Sequence, residues 1–149
     1  MSYLRKRKTQ GSLKGKDSQK LTTRQSKPLL PSESQIQKSV LQFLKARKDV
    51  LAIRLNNLPV PLKNGGFRPV AVKGIPDCHV DFLVNKVPVS VWVEFKAPKG
   101  KLSEYQKEFK STIESMGGFY EVIRSIDEME NALTRINSVV SETIANAET

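Results

Sequence analysis

The chain contains one cysteine, Cys78, and one histidine, His79. It therefore forms no intramolecular disulfide and cannot assemble an ordinary structural zinc site from thiolates and imidazoles. A reducing compartment is the expectation. No apolar run approaches the roughly 20 residues that cross a bilayer as a helix, and the charged, Ser-rich start of the chain has no apolar core of the signal-peptide kind. A soluble intracellular protein, of cytoplasm or nucleoid, is expected from this. Acid is also scarce: 15 Asp and Glu stand against 25 Lys and Arg, a net charge of +10. Such a surplus favours a polyanionic partner such as nucleic acid over a small acidic metabolite. It is unevenly spread, with nine basic residues and one acid up to Leu30, eleven and five from Pro31 to Gly100, and five and nine from Lys101 onward.

At 149 residues the chain fits one domain that can bury a core without a metal or disulfide staple. Residues 1–31 are rich in Lys, Arg, Ser, Thr and Gln, with scattered apolar positions. Such a segment cannot offset its ordering entropy by burial, so a disordered basic arm that attracts phosphates non-specifically is expected. From Ser32, a plausible N-cap, Ile36, Val40, Leu41 and Leu44 recur at helical spacing, with Glu33 in the first turn where the helix dipole favours a carboxylate. Val50 to Asn56 reads as a strand. Asn57 to Gly74 holds three prolines, an Asn-Gly-Gly turn and the basic residues Lys63, Arg68 and Lys73, and predicts an exposed loop facing a nucleic acid. His79 to Val84 and Pro88 to Phe95 predict an antiparallel hairpin.

In the second of those strands Val89, Val91 and Val93 alternate with Ser90, Trp92 and Glu94, which places Glu94 and Lys96 on one face. After Pro98-Lys99-Gly100, a helix capped by Ser103 carries the stripe Leu102, Tyr105, Phe109, Ile113 and Met116 and ends at Gly117-Gly118. Phe119 to Arg124 follows as a strand. A final helix opening at Ser125 carries Met129, Leu133, Ile136, Val140 and Ile144, and residues 127–149 are expected to pack on the domain or on a partner chain. The predicted order is α, β, β, β, α, β, α: an α/β fold with a mixed sheet flanked by helices, its domain spanning residues 32–126.

Asp77 follows Gly74-Ile75-Pro76, Glu94 lies near the end of a valine-rich strand, and Lys96 comes two residues later. Burying such charge in a sheet is costly unless a ligand, metal or ion pair compensates. If Asp77 opens the adjacent strand, two carboxylates can converge on one hard cation, Mg²⁺ or Mn²⁺, with an ammonium beside them. Phosphodiester hydrolysis needs a Lewis acid, an activated water and positive charge near the phosphate oxygens, and this trio can supply all three. The bland alternative is an ordinary salt bridge between strand neighbours. Cys78-His79 is read as packing, because adjacent strand residues point to opposite faces. Asp81, on the Asp77 face, is a candidate supporting acid. Trp92 either stacks on a base or lies under a helix, the commoner destination.

The segments SESQIQKSVLQFL, GIPDCHVDFLV, VSVWVEFKAPKGKLSEYQKEF and GGFYEVIRS together resemble the virus-type replication and repair nuclease (VRR-NUC) family of the PD-(D/E)xK superfamily. The resemblance spans about residues 32–125 and leaves the basic arm and terminal helix outside. It implies a restriction-endonuclease-like core and a Mg²⁺- or Mn²⁺-dependent endodeoxyribonuclease of phage or mobile-element type. It further implies Asp77 and Glu94 as metal ligands, Lys96 as the catalytic lysine, Glu33 as an active-site acid and Gln106 as an auxiliary polar group. For Glu33 the plain reading is a helix N-terminus, and for Gln106 a surface amide. Stand-alone members suggest a homodimer acting on branched DNA, such as junctions or flaps; apart from the resemblance, the basic residues Lys63, Arg68, Lys73, Lys99 and Lys101 are the candidate DNA contacts. Two other readings stay open: a sequence-specific homing or restriction-type endonuclease, and a DNA-binding accessory protein without catalysis.

Overall fold

The computed structural model describes residues 30–55, 60–68, 72–147 and 149. The expectation of a disordered arm over residues 1–31 falls almost wholly outside the described residues, as do residue 56 at the end of the anticipated strand and 57–59 and 69–71 of the anticipated loop. The elements are α1 (Glu33–Ala46), β1 (Val50–Arg54), β2 (Val60–Pro61), β3 (Phe67–Arg68), β4 (Cys78–Val84), β5 (Val87–Phe95), α2 (Glu104–Ser115), β6 (Phe119–Ile123) and α3 (Ile126–Ala147). Four strands form a mixed sheet in the order β1-β4-β5-β6, antiparallel except for the parallel pair β5 and β6. The fold is thus α/β. Among the described residues no helix is long and apolar enough to cross a membrane.

Both helix starts read from the sequence are reinforced by reciprocal caps. Ser32 and Ser103 each accept from the backbone of the residue three positions on, Gln35 or Gln106, whose side chain reaches back to the cap's own N–H. Ser125 makes half of this arrangement for α3, its Oγ accepting from Glu128 N at 3.1 Å while the Glu128 carboxylate accepts from Arg124 N. The β4–β5 connection is tighter than anticipated. Asn85 and Lys86 alone make the turn, both with positive φ (49° and 69°), the conformation that suits the twist of a two-residue hairpin.

The loop expected over residues 57–74 carries a feature the sequence did not announce. Within it, β2 and β3 pair as a small antiparallel ribbon around Lys63-Asn64-Gly65, and among the described residues the ribbon packs on no other element.

The core lies on one face of the sheet, between it and the pair α1 and α3. Val80, Phe82, Val89, Val91, Val93 and Phe95 project there and meet Ile36, Val40 and Leu44 of α1 and Met129, Leu133 and Ile136 of α3. Each such aliphatic or aromatic side chain contributes about 1.5–3 kcal/mol by leaving water. The first half of α3 is therefore packed on its own domain, and Val140 extends that contact. Cys78 is also buried here, and burial pushes its thiol up to about 11.

The opposite face is covered in part by α2, through Trp92 against Phe109 at 5.4 Å between ring centroids and Phe109 against Tyr120 at 6.4 Å. Trp92 thus lies beneath a helix. The stripe read on α2 is less buried than its periodicity implied: Ile113 is enclosed, but Tyr105 and Met116 are exposed. The reason is that α2 packs along β6, at one side of the sheet, so its ends overhang.

Candidate metal and phosphate site

Asp77 is delivered by a turn that depends on glycine. Gly74 has φ +77°, and a Cβ there would lie 2.2 Å from the Tyr105 carbonyl oxygen, so the turn packs directly on the first turn of α2. Pro76 is buried behind it. The Asp77 carbonyl accepts from Leu55 N at 2.8 Å, tying the turn to the end of β1. Its carboxylate Oδ2 accepts from Phe95 N at 2.9 Å, bracing the Asp77 side chain against the end of β5. Because Cys78 pairs with Val93, Asp77 stands one step further on, level with Glu94.

Glu94 is the most enclosed polar group of this face, 2% exposed. Its Oε1 accepts from Lys96 Nζ and from Gln106 Nε2, each at 2.5 Å. Its Oε2 is buried and has no hydrogen-bond partner among the described residues. Burial raises the Glu94 pKa, which the Lys96 hydrogen bond and charge oppose and the charges of Asp77 and Glu33 reinforce. The balance leaves it pushed up to about 7. A carboxylate so placed is poised between neutral and ionised forms at neutral pH, and a cation bound against Oε2 would draw it to the ionised form.

Lys96 is 8% exposed and follows β5 directly, its backbone N–H donating to Ile123 O at 3.1 Å so that the end of β6 fixes its position. Glu33, the first residue of α1, brings Oε2 to 3.9 Å from Lys96 Nζ while its side chain stays half exposed. Gln106 has two functions: its Oε1 accepts from Ser103 N at 2.9 Å to cap α2, which leaves Nε2 aimed at Glu94. The side chain is thereby more than a surface amide.

Asp77, Glu94, Lys96, Glu33 and Gln106 are thus gathered at one end of the sheet, where the parallel pair β5 and β6 ends and α2 begins. Open α/β sheets commonly bind ligands at the carboxyl ends of parallel strands. Asp81 is elsewhere, accepting from Ser90 Oγ at 2.5 Å with His79 Nδ1 at 3.5 Å, so it does not reach Glu94 as a supporting acid. His79 lies against Trp92, with ring centroids 4.6 Å apart, while Cys78 faces the core, so the two point apart as expected of strand neighbours.

The five anticipated phosphate contacts divide into two groups. Lys73, Lys99 and Lys101 are exposed on the two segments that frame the site. Lys73 Nζ stands 4.7 Å over the Tyr105 ring and donates to its hydroxyl at 3.3 Å. Lys63 and Arg68 lie on the β2–β3 ribbon, which nothing among the described residues brings to the site.

One residue escaped the sequence reading. Tyr120 on β6 is buried, and its hydroxyl has no hydrogen-bond partner among the described residues. Burial, with the charges of Glu94 and Asp77, raises its pKa. Its register opposite Trp92 was available only after β5 and β6 were known to pair.

A divalent cation implied by the family resemblance can be tested against these donors. Among the described residues no group of three or more His, Cys, Asp or Glu is placed to hold a metal ion. Mg²⁺, however, is commonly held by one or two carboxylates and completes its shell with water. The unpartnered Glu94 Oε2 and the Asp77 carboxylate are hard oxygen donors of that kind, and they fit Mg²⁺ or Mn²⁺. Comparison with protein-family models, curated proteins and solved structures gave no match, so the family resemblance rests on the motif residues themselves.

Proposed function

We propose that this chain is a divalent-metal-dependent endodeoxyribonuclease with a restriction-endonuclease-like core. The observation that carries the reading is a buried Glu94 that feels the charge of Asp77, whose Oε1 is held by Lys96 and whose Oε2 has no hydrogen-bond partner among the described residues. A buried Glu–Lys pair by itself is weak support for stability, since desolvating two charges offsets much of their attraction. Leaving Oε2 unpaired adds to that cost. A site that binds a cation accounts for both expenses, whereas a structural salt bridge accounts for neither.

When bound, Mg²⁺ or Mn²⁺ supplies the Lewis acid that polarises a phosphoryl oxygen and makes water more acidic. Asp77 and Glu94 would hold it. The Lys96 ammonium, between Glu94 and Glu33, stands where it can orient the attacking water or offset charge gathering on the phosphate oxygens. Gln106 holds Glu94 through Oε1 and leaves Oε2 without a partner among the described residues. The element order, with three antiparallel strands, a crossover helix and a fourth strand parallel to the third, supports the assigned core.

Two copies acting on branched DNA form part of this proposal, since two-fold symmetry presents two sites to two strands. The experiment incubates purified protein with Mg²⁺ or Mn²⁺ and labelled linear, flap and four-way-junction DNA. Cleavage by the parent, lost in Asp77→Asn and Lys96→Ala variants that remain folded by circular dichroism, is expected. No cleavage of any substrate, or equal cleavage by the variants, rejects the reading. A non-catalytic DNA-binding role competes, favoured by the short donor set of two carboxylates. Calorimetry that finds no Mn²⁺ binding to the parent chain would select it.

A further inference from the structure

Outside the site, the described surface has a concavity lined by three basic side chains and no acid. It runs along the seam of α1 and β1, and Lys38, Lys45 and Arg54 project into it with Ser34, Gln37 and Gln42 between them over a floor that includes Leu41. Lys38, Lys45 and Arg54 are exposed, and none has a carboxylate within ion-pair distance among the described residues. Four cations elsewhere on the helices and their ends are ion-paired instead: Arg47 with Asp49, Lys107 with Glu104, Lys110 with Glu114 and Arg135 with Glu121. A solvated helix face would explain Lys38 and Lys45 alone. It does not explain why Arg54, from a strand, converges on the same hollow, or why its polar lining is amide and hydroxyl only.

The position of the groove gives it meaning. Ser34 adjoins Glu33, and Arg54 pairs in register with Cys78, next to Asp77, so one end of the groove opens beside the site. From there it follows α1. Lys38 and Lys45 are seven residues apart, roughly 10 Å at 1.5 Å per residue, a span of about three nucleotides at 3.4 Å per nucleotide of one strand.

Building on the nuclease reading above, we propose that this groove is a track for the phosphodiester backbone of a DNA strand, holding the segment that flanks the scissile phosphate. Lys38, Lys45 and Arg54 neutralise phosphates spaced along that strand. Ser34, Gln37 and Gln42 offer hydrogen bonds to phosphate or sugar oxygens, which fix register and carry no base information.

The test measures binding of the full chain to a labelled 20-nucleotide duplex by anisotropy, in EDTA so that no cleavage occurs, from about 50 to 200 mM salt. The triple variant K38Q/K45Q/R54Q is compared with K107Q/K110Q/R135Q, which removes the same charge from ion-paired positions. The groove variant is expected to bind about tenfold or more weaker, with a salt slope reduced by about two to three, while the matched variant shifts affinity less than threefold. Equal losses in both variants, or none in the groove variant, would overturn the proposal. A second arm places a photocrosslinking residue at Gln42 or, as a control on the exposed far end of α3, at Glu142. Crosslinking to DNA from Gln42 alone supports the track, and none from Gln42 refutes it even where a variant is poorly folded. Binding here is read without metal or turnover, so failure of the track is distinguishable from failure of the nuclease reading, which the Asp77→Asn and Lys96→Ala cleavage assays decide.

Discussion

The two faces of the central sheet are built from alternating residues of the same strands, yet they obey opposite rules. On the α1 and α3 face, Val80, Val91, Val93 and Phe95 are wholly enclosed by apolar neighbours. On the α2 face, Glu94 stands between Val93 and Phe95 in sequence, with Asp77 level with it on the neighbouring strand's start, and burial there leaves a carboxyl oxygen without a partner among the described residues. The first face lowers free energy by excluding water, the second holds charge where a hydrophobic residue would be more stable. Natural sequences tolerate such a local conflict where a ligand resolves it.

The comparison would break most visibly at the charged face. Asp77→Asn keeps the size of the side chain and an oxygen to accept from Phe95 N, so folding should be nearly unchanged while metal-dependent DNA cleavage falls by about a hundredfold or more. If cleavage persists, the charged face is structural and the contrast collapses. The apolar face should respond in the reverse sense. Leu44→Ala removes a fully buried side chain and should cost about 2–5 kcal/mol in urea denaturation, with the folded fraction still binding Mn²⁺ as the parent does.

Gly74→Ala tests the coupling between the two ends of the site. The added methyl group meets the Tyr105 carbonyl and the backbone is held at positive φ, so about 1–3 kcal/mol of strain is expected. Because the contact is with the turn that carries Gln106, cleavage should fall together with melting temperature. An unchanged melting curve would show that the turn yields freely.

A pH series sharpens the contrast further. In the metal-free chain Glu94 titrates near 7 when folded and near its ordinary 4.5 when unfolded. Between those values the folded state binds the extra proton, so this group's contribution is complete below about pH 4.5 and is lost as the pH rises through 7. The difference in stability between the parent and Glu94→Gln should therefore drift across pH 4.5–7 in favour of the variant, and a difference independent of pH would refute it. The smallest effect is expected for Ser103→Ala, about 1 kcal/mol from the lost cap, read by thermal melting.

Much of this was legible in the chain. The order of sheet strands and helices, the caps at Ser32, Ser103 and Ser125, and the hairpin all follow from local rules of capping, periodicity and turn chemistry, which act over a few residues. The ribbon at β2 and β3 was missed because two-residue strands give no alternation to read. The exposure of Tyr105 and Met116 was missed because periodicity reports which residues share a face and leaves open how much of that face finds a partner.

What the sequence by itself determined, then, is the alternation that puts Glu94 opposite the valines and the paired serine caps that start α1 and α2. Tertiary structure alone decided that Asp77 is level with Glu94, that the amide capping α2 is the one touching Glu94 Oε1, and that Arg54 meets Lys38 and Lys45 in one groove. The physical reason is range. Hydrogen bonds within a turn and side-chain alternation along a strand are set by neighbours in the chain, whereas charge desolvation and convergence depend on which distant segments the core packs together.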